Sequence, residues 1–256
     1  MQLHPRHLLI AAALVLAGCG SAVPAASPAP ETPSISPPAP AAAPASPAPP
    51  PVEITYPARG HRKWTTAPAQ AGKAAGHSGR LLRYRVLVEQ DIKGLVPADF
   101  AGTVTTTLTD PRSWTAGGQY RLQRVGPGDA YNFTIYLATP DTRDTLCAGA
   151  PDGYTSCRNK DNVVLNVARW VKGAPSFKAP LATYRQYMVN HEVGHRLGQG
   201  HMLCPGSGEP APVMQQQTLG MHGCTVNPWP YPDRKHFYTG RSGAYDDTVP
   251  PRDRGN

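Results

Sequence analysis

The chain has 256 residues, 16% of them charged, and a formal net charge of +8. This length predicts one domain with appendages rather than several domains. The net positive charge would favour binding to anionic wall polymers or lipid head groups, although a role in solubility alone also explains it. The sequence has no run of Lys and Arg long enough to suggest a nucleic-acid-binding protein.

The N-terminus has the pattern of a bacterial export signal. Arg6 gives a basic start, and the nine residues Leu8–Leu16 form an apolar run that is too short for a permanent membrane span. The run leads into the letters LAGC, which resemble a lipobox ending at Cys19. We therefore expect residues 1–19 to be a lipoprotein signal peptide with Cys19 as the lipidated residue. An ordinary signal peptide, which would release a secreted protein, is the alternative.

A segment rich in proline and alanine follows the signal. Twelve of the 32 residues from 20 to 51 are proline, and this composition cannot bury a core but favours an extended chain. We assign residues 20–55 to a disordered spacer. At about 3.1 Å per residue in the polyproline II conformation, it would reach roughly 100 Å, enough to carry a domain from a membrane into a cell wall.

The folded domain is expected to span residues 56–232, and residues 233–256 are expected to form a flexible tail. Strands are predicted where apolar residues alternate or cluster, and helices where apolar residues recur on one face. In chain order the predicted elements are a strand at 80–89, a helix from Pro97 to the Asp110-Pro111 pair, strands at 132–138 and 162–167, and a helix at 181–197. This order predicts an α+β fold with a small mixed sheet, a backing helix, an active-site helix and an irregular C-terminal part.

The sequence HEVGHRLGQGH, from His191 to His201, carries the candidate site. His191 and His195 are four residues apart, so a helix places both imidazoles on one face, close enough to share an ion. Glu192 stands beside them, where its carboxylate can take a proton from a metal-bound water without coordinating the metal. Gly198 can adopt the left-handed conformation that ends the helix, so that His201 returns as a third ligand. Three nitrogen ligands and one open position are typical of catalytic zinc.

Four cysteines remain when Cys19 is set aside. An even number in an exported chain favours two disulfides, for which three pairings are possible. We favour Cys147–Cys157 and Cys204–Cys224, because each pair closes a short loop rich in Gly and Pro. A cysteine-ligated zinc site is the rival interpretation, but the sequence has no Cys-x-x-Cys spacing.

The eleven-residue histidine stretch resembles, at every fixed position, the extended zinc-binding motif of the metzincin clan of metalloendopeptidases. The clan also has a Met-turn, a tight turn beneath the metal, and Met214 in APVMQQ resembles its methionine. Met221 is the second candidate, and a gap-filling core methionine is the alternative for Met214. The resemblance covers about residues 80–229, but only residues 191–214 are specific. It is closest to small secreted bacterial snapalysin-like members and to an uncharacterised actinobacterial family of exported proteins.

This resemblance implies a zincin-like fold and a Zn²⁺ cofactor whose ligands are His191, His195 and His201. It implies that a zinc-bound water attacks a peptide bond with Glu192 as the general base. It also implies that the strand Val163–Val167 is a sheet edge that pairs with an extended peptide substrate.

Two features depart from the clan. Some members carry a tyrosine two residues after the methionine, where this chain has Gln216, and Tyr231 or Tyr187 are the alternative donors to the oxyanion. The C-terminal helix that is common after the Met-turn is not apparent in residues 231–256. We expect the Cys204–Cys224 disulfide, which would close the Met-turn segment, to replace the packing of that helix.

The sequence thus predicts an exported zinc metalloendopeptidase, anchored by lipid to the outer face of the cytoplasmic membrane or secreted, with a peptide or protein substrate and a monomeric state. Two alternatives stay open. One is a non-catalytic envelope-binding lipoprotein in which zinc only stiffens the site, and a fourth protein ligand such as His222 would favour it. The other is a hydrolase of cell-wall peptide cross-links, which keeps the chemistry and changes the substrate.

Overall fold

The computed structural model describes residues 52–256. The predicted signal peptide, the lipidation site Cys19 and most of the spacer lie outside these residues. The described part contains a mixed six-stranded sheet and four helices, which is consistent with an α+β fold. Within residues 52–256, none of the helices has the length and apolar character that a membrane crossing requires.

The sheet has a parallel centre and an antiparallel strand near each edge. Its strands are β1 Trp64–Thr66, β2 Arg80–Glu89, β3 Tyr120–Arg124, β4 Phe133–Ala138, β5 Cys157–Asn159 and β6 Asn162–Asn166. The order is β1-β2-β4-β6-β5, and β3 pairs with β2 in addition. Because β2 has ten residues, its first half pairs with β3 in parallel and its last three residues pair with β1 in antiparallel.

Four helices pack against this sheet. They are α1 Pro97–Thr109, α2 Pro140–Cys147, α3 Val167–Lys172 and α4 Leu181–Arg196. The predicted stripe of α1 is buried at Phe100, Val104 and Leu108 and belongs to the same core as residues of β2, β4, β6 and α4. The predicted strands and helices at 80–89, 97–109, 132–138, 162–167 and 181–197 are confirmed to within one residue at each end.

The sheet edge nearest the site differs from the prediction. The expectation that Val163–Val167 forms the edge is wrong, because β6 lies between β4 and β5. The edge is β5, whose Arg158 pairs with Val163 in antiparallel register. A turn through Lys160, with φ +52°, folds this three-residue strand back onto β6. A strand so short has too few residues to show an alternating pattern in the sequence.

The chain after α4 is irregular. From residue 197 to 256 the structure contains no helix or named strand, so the C-terminal helix that the resemblance suggested is absent from this described range. Residues 233–256, expected as a flexible tail, contact the domain at their end. The Asn256 amide donates to the Tyr56 carbonyl at 3.1 Å, and Asp253 pairs with Lys172 at 2.8 Å.

Candidate metal centre

Buried hydrogen bonds anchor α4 one residue before its first histidine. The Asn190 side chain is fully buried, and its Nδ2 donates to the Pro228 carbonyl at 2.9 Å. Ser113 Oγ donates to Asn190 Oδ1 at 2.8 Å, and Trp114 Nε1 donates to the Asn190 carbonyl at 2.9 Å. These contacts fix the position of the helix turn that carries His191. The sequence prediction did not include Asn190. The one sign of its role in the sequence is that it is a polar residue on a helix face that is otherwise buried.

The three predicted histidine ligands come together. His195 Nε2 lies 3.2 Å from His191 Nε2 and 3.0 Å from His201 Nε2, and one ring nitrogen from each residue falls within 4.8 Å of the others. A tetrahedral zinc with bonds of about 2.05 Å separates its nitrogen ligands by about 3.3 Å. The spacing of the nitrogens therefore suits a small metal ion of this kind.

Main-chain carbonyls orient two of the imidazoles. His191 Nδ1 lies 2.8 Å from the Val213 carbonyl, and His195 Nδ1 lies 2.9 Å from the Gln199 carbonyl. A carbonyl can only accept, so each Nδ1 carries the proton and each Nε2 of the neutral ring keeps a free lone pair. This outer hydrogen bond is the usual support of a metal-binding histidine.

The end of α4 brings the third histidine back. Gly198 has φ +93°, in the left-handed region that favours glycine. The Gly198 amide donates to the His195 carbonyl at 3.1 Å, and the Gln199 amide donates to the Gly194 carbonyl at 3.0 Å. These two bonds form a Schellman motif, which closes the helix and reverses the chain. His201 thus follows three residues after the reversal, and the Gln199 carbonyl is placed against His195.

Met214 lies in a tight turn against the underside of α4. The Gln215 amide donates to the Pro212 carbonyl at 2.9 Å, which puts Val213 and Met214 at the centre of the turn. Met214 is fully buried, and its carbonyl accepts from the Met202 amide at 3.1 Å. The turn therefore supplies the carbonyl that orients His191 and is joined to the segment after His201.

Glycine at position 194 is required by this packing. A Cβ on Gly194 would lie 2.6 Å from Trp114 Cζ2 and still closer to Met214 Sδ, and both of those side chains are buried. We expect Gly194→Ala to lower the free energy of unfolding by about 2 kcal/mol, because overpacking outweighs the helix propensity gained. Urea unfolding measures the change.

The matched control for this substitution is Gly102→Ala. Gly102 also lies inside a helix, but a Cβ there meets nothing within 4 Å. This variant should be stabilised by about 0.5–1 kcal/mol, since alanine restricts the unfolded chain and favours the helix. An equal response of the two variants would contradict the packing assigned to Gly194.

Glu192 is a buried carboxyl at the histidine cluster. It is 6% exposed, and its Oε2 has no hydrogen-bond partner among the described residues. Burial raises the pKa of Glu192 to about 8, against an opposing effect of Arg143 and Arg158. A buried, unpartnered carboxyl oxygen is costly unless water, a ligand or an ion meets it.

Burial also keeps the three imidazoles neutral near pH 7. It lowers the pKa of His191 well below its ordinary value and the pKa of His201 to about 4, and neighbouring imidazoles lower both further. The pKa of His195 is lowered as well, mainly by burial. The neutral form is the one that binds metal, so the cluster needs no deprotonation to accept an ion at this pH.

The cluster opens into a cleft of about 370 Å³ between α4 and the sheet edge. The residues lining the cleft, apart from the histidines and Glu192, are Thr155, Ser156, Cys157, Arg158, Tyr187, Met188, Gln216, Thr218 and Leu219. Gln216 therefore occupies the cleft wall. Tyr187 also lines it, but its hydroxyl donates to the Gln215 carbonyl at 3.0 Å. Tyr231 is not among the lining residues and packs against Phe237.

Each of the two favoured cysteine pairs is present as a disulfide, and each supports one side of the site. The Cys147–Cys157 bond, with Cα atoms 5.9 Å apart, ties the edge strand β5 to the end of α2. The Cys204–Cys224 bond, with Cα atoms 5.8 Å apart, closes the segment that contains Met214. The disulfides thus hold a three-residue strand and an irregular segment on opposite sides of the histidine cluster's sequence.

The residues present fit a metal ion with an open position. Three convergent imidazole nitrogens form the donor set, and Glu192, whose Oε2 has no partner within residues 52–256, lines the same cleft. His222, the suggested fourth ligand, instead pairs with Asp247 at 2.8 Å and stacks on Tyr245. Among residues 52–256 the cluster of potential metal ligands consists of the three histidines alone.

A family model described as "protein of unknown function (DUF3152)" matches residues 50–232. The match includes every residue of the histidine cluster and both disulfides. Comparisons with curated proteins and with solved structures find no match.

Proposed function

We propose that this chain, which belongs to the DUF3152 family of unknown function, is an exported zinc metalloendopeptidase with a zincin-like fold of the metzincin type. One observation carries the proposal. Three convergent imidazoles, two of them oriented by main-chain carbonyls, line one cleft together with Glu192, a buried carboxyl whose Oε2 has no partner within residues 52–256. A site that only stiffens the fold has no use for that carboxyl.

The residues divide the chemistry between them. Zinc, held by the Nε2 atoms of His191, His195 and His201, would supply a Lewis acid for a peptide carbonyl and for water. Glu192 accepts the proton of the attacking water and delivers it to the nitrogen of the leaving amine. Because a nearby cation favours the charged form of a carboxyl, Glu192 becomes the base when the site is filled, although its pKa in the metal-free protein is about 8.

The edge strand β5 offers a place for an extended peptide. Within residues 52–256, no strand pairs with the outer side of β5, while α4 and its histidines face the same cleft. An extended peptide can add to such an edge through main-chain hydrogen bonds. This mode of binding would lay a substrate across the cluster, and it assigns to β5 the role that the sequence suggested for Val163–Val167.

Gln216 is the side-chain donor that we propose for the substrate carbonyl. Its neighbours Gln215 and Gln217 are fully buried, and their amides donate to main-chain carbonyls. The Gln216 carboxamide makes no such bond to residues 52–256 and lines the cleft. A free N–H in the cleft can stabilise a developing oxyanion, and Gln216 would then take the place of the tyrosine found in some metzincins.

The non-catalytic alternative, a binding protein in which zinc only stabilises the fold, calls for a fourth protein ligand to the metal. His222 was the candidate for it, and the bond to Asp247 occupies that side chain. The lipid anchor at Cys19, the position outside the cytoplasmic membrane and the monomeric state are proposals from the sequence alone. So is the preference for protein substrates over cell-wall peptides.

Incubation of the purified, zinc-loaded protein with a peptide library tests the function. We expect internal peptide bonds to be cut, and we expect a chelator to stop cleavage and added zinc to restore it. Mass spectrometry of the products reports the bonds cut. Cleavage that continues in excess chelator, or a library left intact by protein with one zinc per chain, would refute the proposal.

A further inference from the structure

Arg158 brings a positive charge into the wall of the cleft. It lies on the edge strand β5 opposite Val163, and Val163 belongs to the core on which α4 packs. Paired residues of neighbouring strands share a face of the sheet. The Arg158 side chain therefore stands on the α4 side of the edge strand, and it lines the cleft together with the histidines.

Within the described residues, this guanidinium has no carboxylate partner of its own. Arg143 and Arg169, the arginines nearest in sequence on either side, form ion pairs with Asp144 and Asp253. Arg158 is exposed and takes part in none of the ion pairs formed within residues 52–256. It is the one Lys or Arg among the described residues that line the cleft.

Arg158 and Glu192 line one cleft of about 370 Å³, together with the three histidines. A ligand group bound to Arg158 would therefore lie within a few residues of the bond that meets Glu192.

We propose that Arg158 binds a carboxylate of the substrate, so that the cleft selects peptides with a negative charge close to the scissile bond. The proposal rests on the proposed function and names the substrate class of the same site. Guanidinium groups bind carboxylates through paired, charge-assisted hydrogen bonds. The carboxylate has two sources, an acidic side chain within the peptide or a free C-terminus, and the two require different peptides in the test.

The kinetic test uses one cleaved peptide with Glu, Gln or Lys at each position flanking the cut, each made as a C-terminal acid and as an amide. For the wild type we expect kcat/KM to be about tenfold higher for the Glu peptide than for the Gln peptide. Arg158→Gln should remove this preference, and Arg158→Glu should reverse it towards Lys. A preference for acid over amide, at equal side chains, would instead assign the carboxylate to the C-terminus.

Arg83→Gln is the matched control. Arg83 is an exposed arginine of β2 that does not line the cleft. Its replacement changes the net charge by the same amount as Arg158→Gln but leaves the cleft unaltered. This variant should keep the wild-type preference. A wild type indifferent to peptide charge, or an Arg158→Gln variant that keeps the preference, would overturn the assignment of Arg158.

A binding measurement separates this proposal from the proposed function. Fluorescence anisotropy of labelled Glu and Gln peptides, with the Glu192→Gln variant, reports recognition without turnover. We expect tighter binding of the Glu peptide, lost in the Glu192→Gln/Arg158→Gln double variant. Equal binding of both peptides, alongside normal cleavage by the wild type, refutes the role of Arg158 and leaves the peptidase intact. If binding depends on Arg158 but the wild type cleaves no peptide, the proposed peptidase activity is refuted and the binding of a carboxylate by Arg158 remains supported.

Discussion

Replacing Glu192 by Gln is expected to lower kcat for peptide hydrolysis by at least about 10³-fold, because the general base is removed. The substitution keeps the volume of a side chain that is 6% exposed, and it leaves the three histidine nitrogens in place. Zinc should therefore stay at one per chain. A fluorogenic peptide measures the rate, and elemental analysis of the protein measures the zinc.

Glu209→Gln is the control for this variant. Glu209 is exposed and does not line the cleft, so it should retain the wild-type rate. Hydrolysis by Glu192→Gln at the wild-type rate, with full zinc, would show that another group takes the proton. Loss of both zinc and activity would show instead that Glu192 helps to hold the metal, contrary to the role proposed for it.

Removal of the Cys204–Cys224 disulfide is expected to lower the free energy of unfolding by about 3 kcal/mol, because a closed loop of this length restricts the unfolded chain. The two cysteines have a sequence separation of 20, and the loop contains both Met214 and the Val213 carbonyl that orients His191. Zinc affinity should therefore fall together with stability. Urea unfolding and zinc competition with a chelating dye measure the two effects in a Cys204→Ser/Cys224→Ser protein.

The Cys147–Cys157 bond provides the comparison. It closes a loop with a sequence separation of 10 and ties β5 to α2, and this loop contains neither Val213 nor Gln199, whose carbonyls orient the histidines. Its removal should cost a similar free energy of unfolding, about 3 kcal/mol, with little change in zinc affinity. If both double variants lost zinc equally, general destabilisation would explain the effect, and the specific support by the Cys204–Cys224 loop would be wrong.

The candidate site could be predicted because its determinants are local in sequence. The periodicity of α4 places His191 and His195 on one face, and Gly198 reverses the chain within the same eleven residues. These features depend on helix geometry and on the conformational freedom of one glycine. The structure places both histidines and His201 together, and it gives Gly198 a φ of +93°.

The supports of the site could not be predicted, because they join residues far apart in the chain. The bond from Trp114 Nε1 to the Asn190 carbonyl spans 76 residues, and the bond from His191 to Val213 spans 22. In neither bond do the two residues have a local sequence pattern that would reveal the contact. The same holds for the packing of Met214 against Gly194, which depends on how the irregular segment folds under α4.

Short strands and helices were the other part of the fold that the sequence did not predict. The sequence prediction missed β1, β3, β5, α2 and α3, which have three to eight residues each. Such segments contain fewer than three turns of helix or at most three side chains per strand face, which gives a weak periodic signal. The omission of β5 had a functional consequence, because it assigned the substrate-binding edge to β6 and passed over Arg158.

Titration of the metal-free protein with zinc, followed by the initial rate of peptide hydrolysis, tests the central claim most directly. The account predicts a rate that rises in proportion to added zinc and reaches a plateau at one equivalent per chain, with no rise in a His195→Ala variant. Occupation of the site by one zinc with no cleavage of any peptide in the library would contradict it.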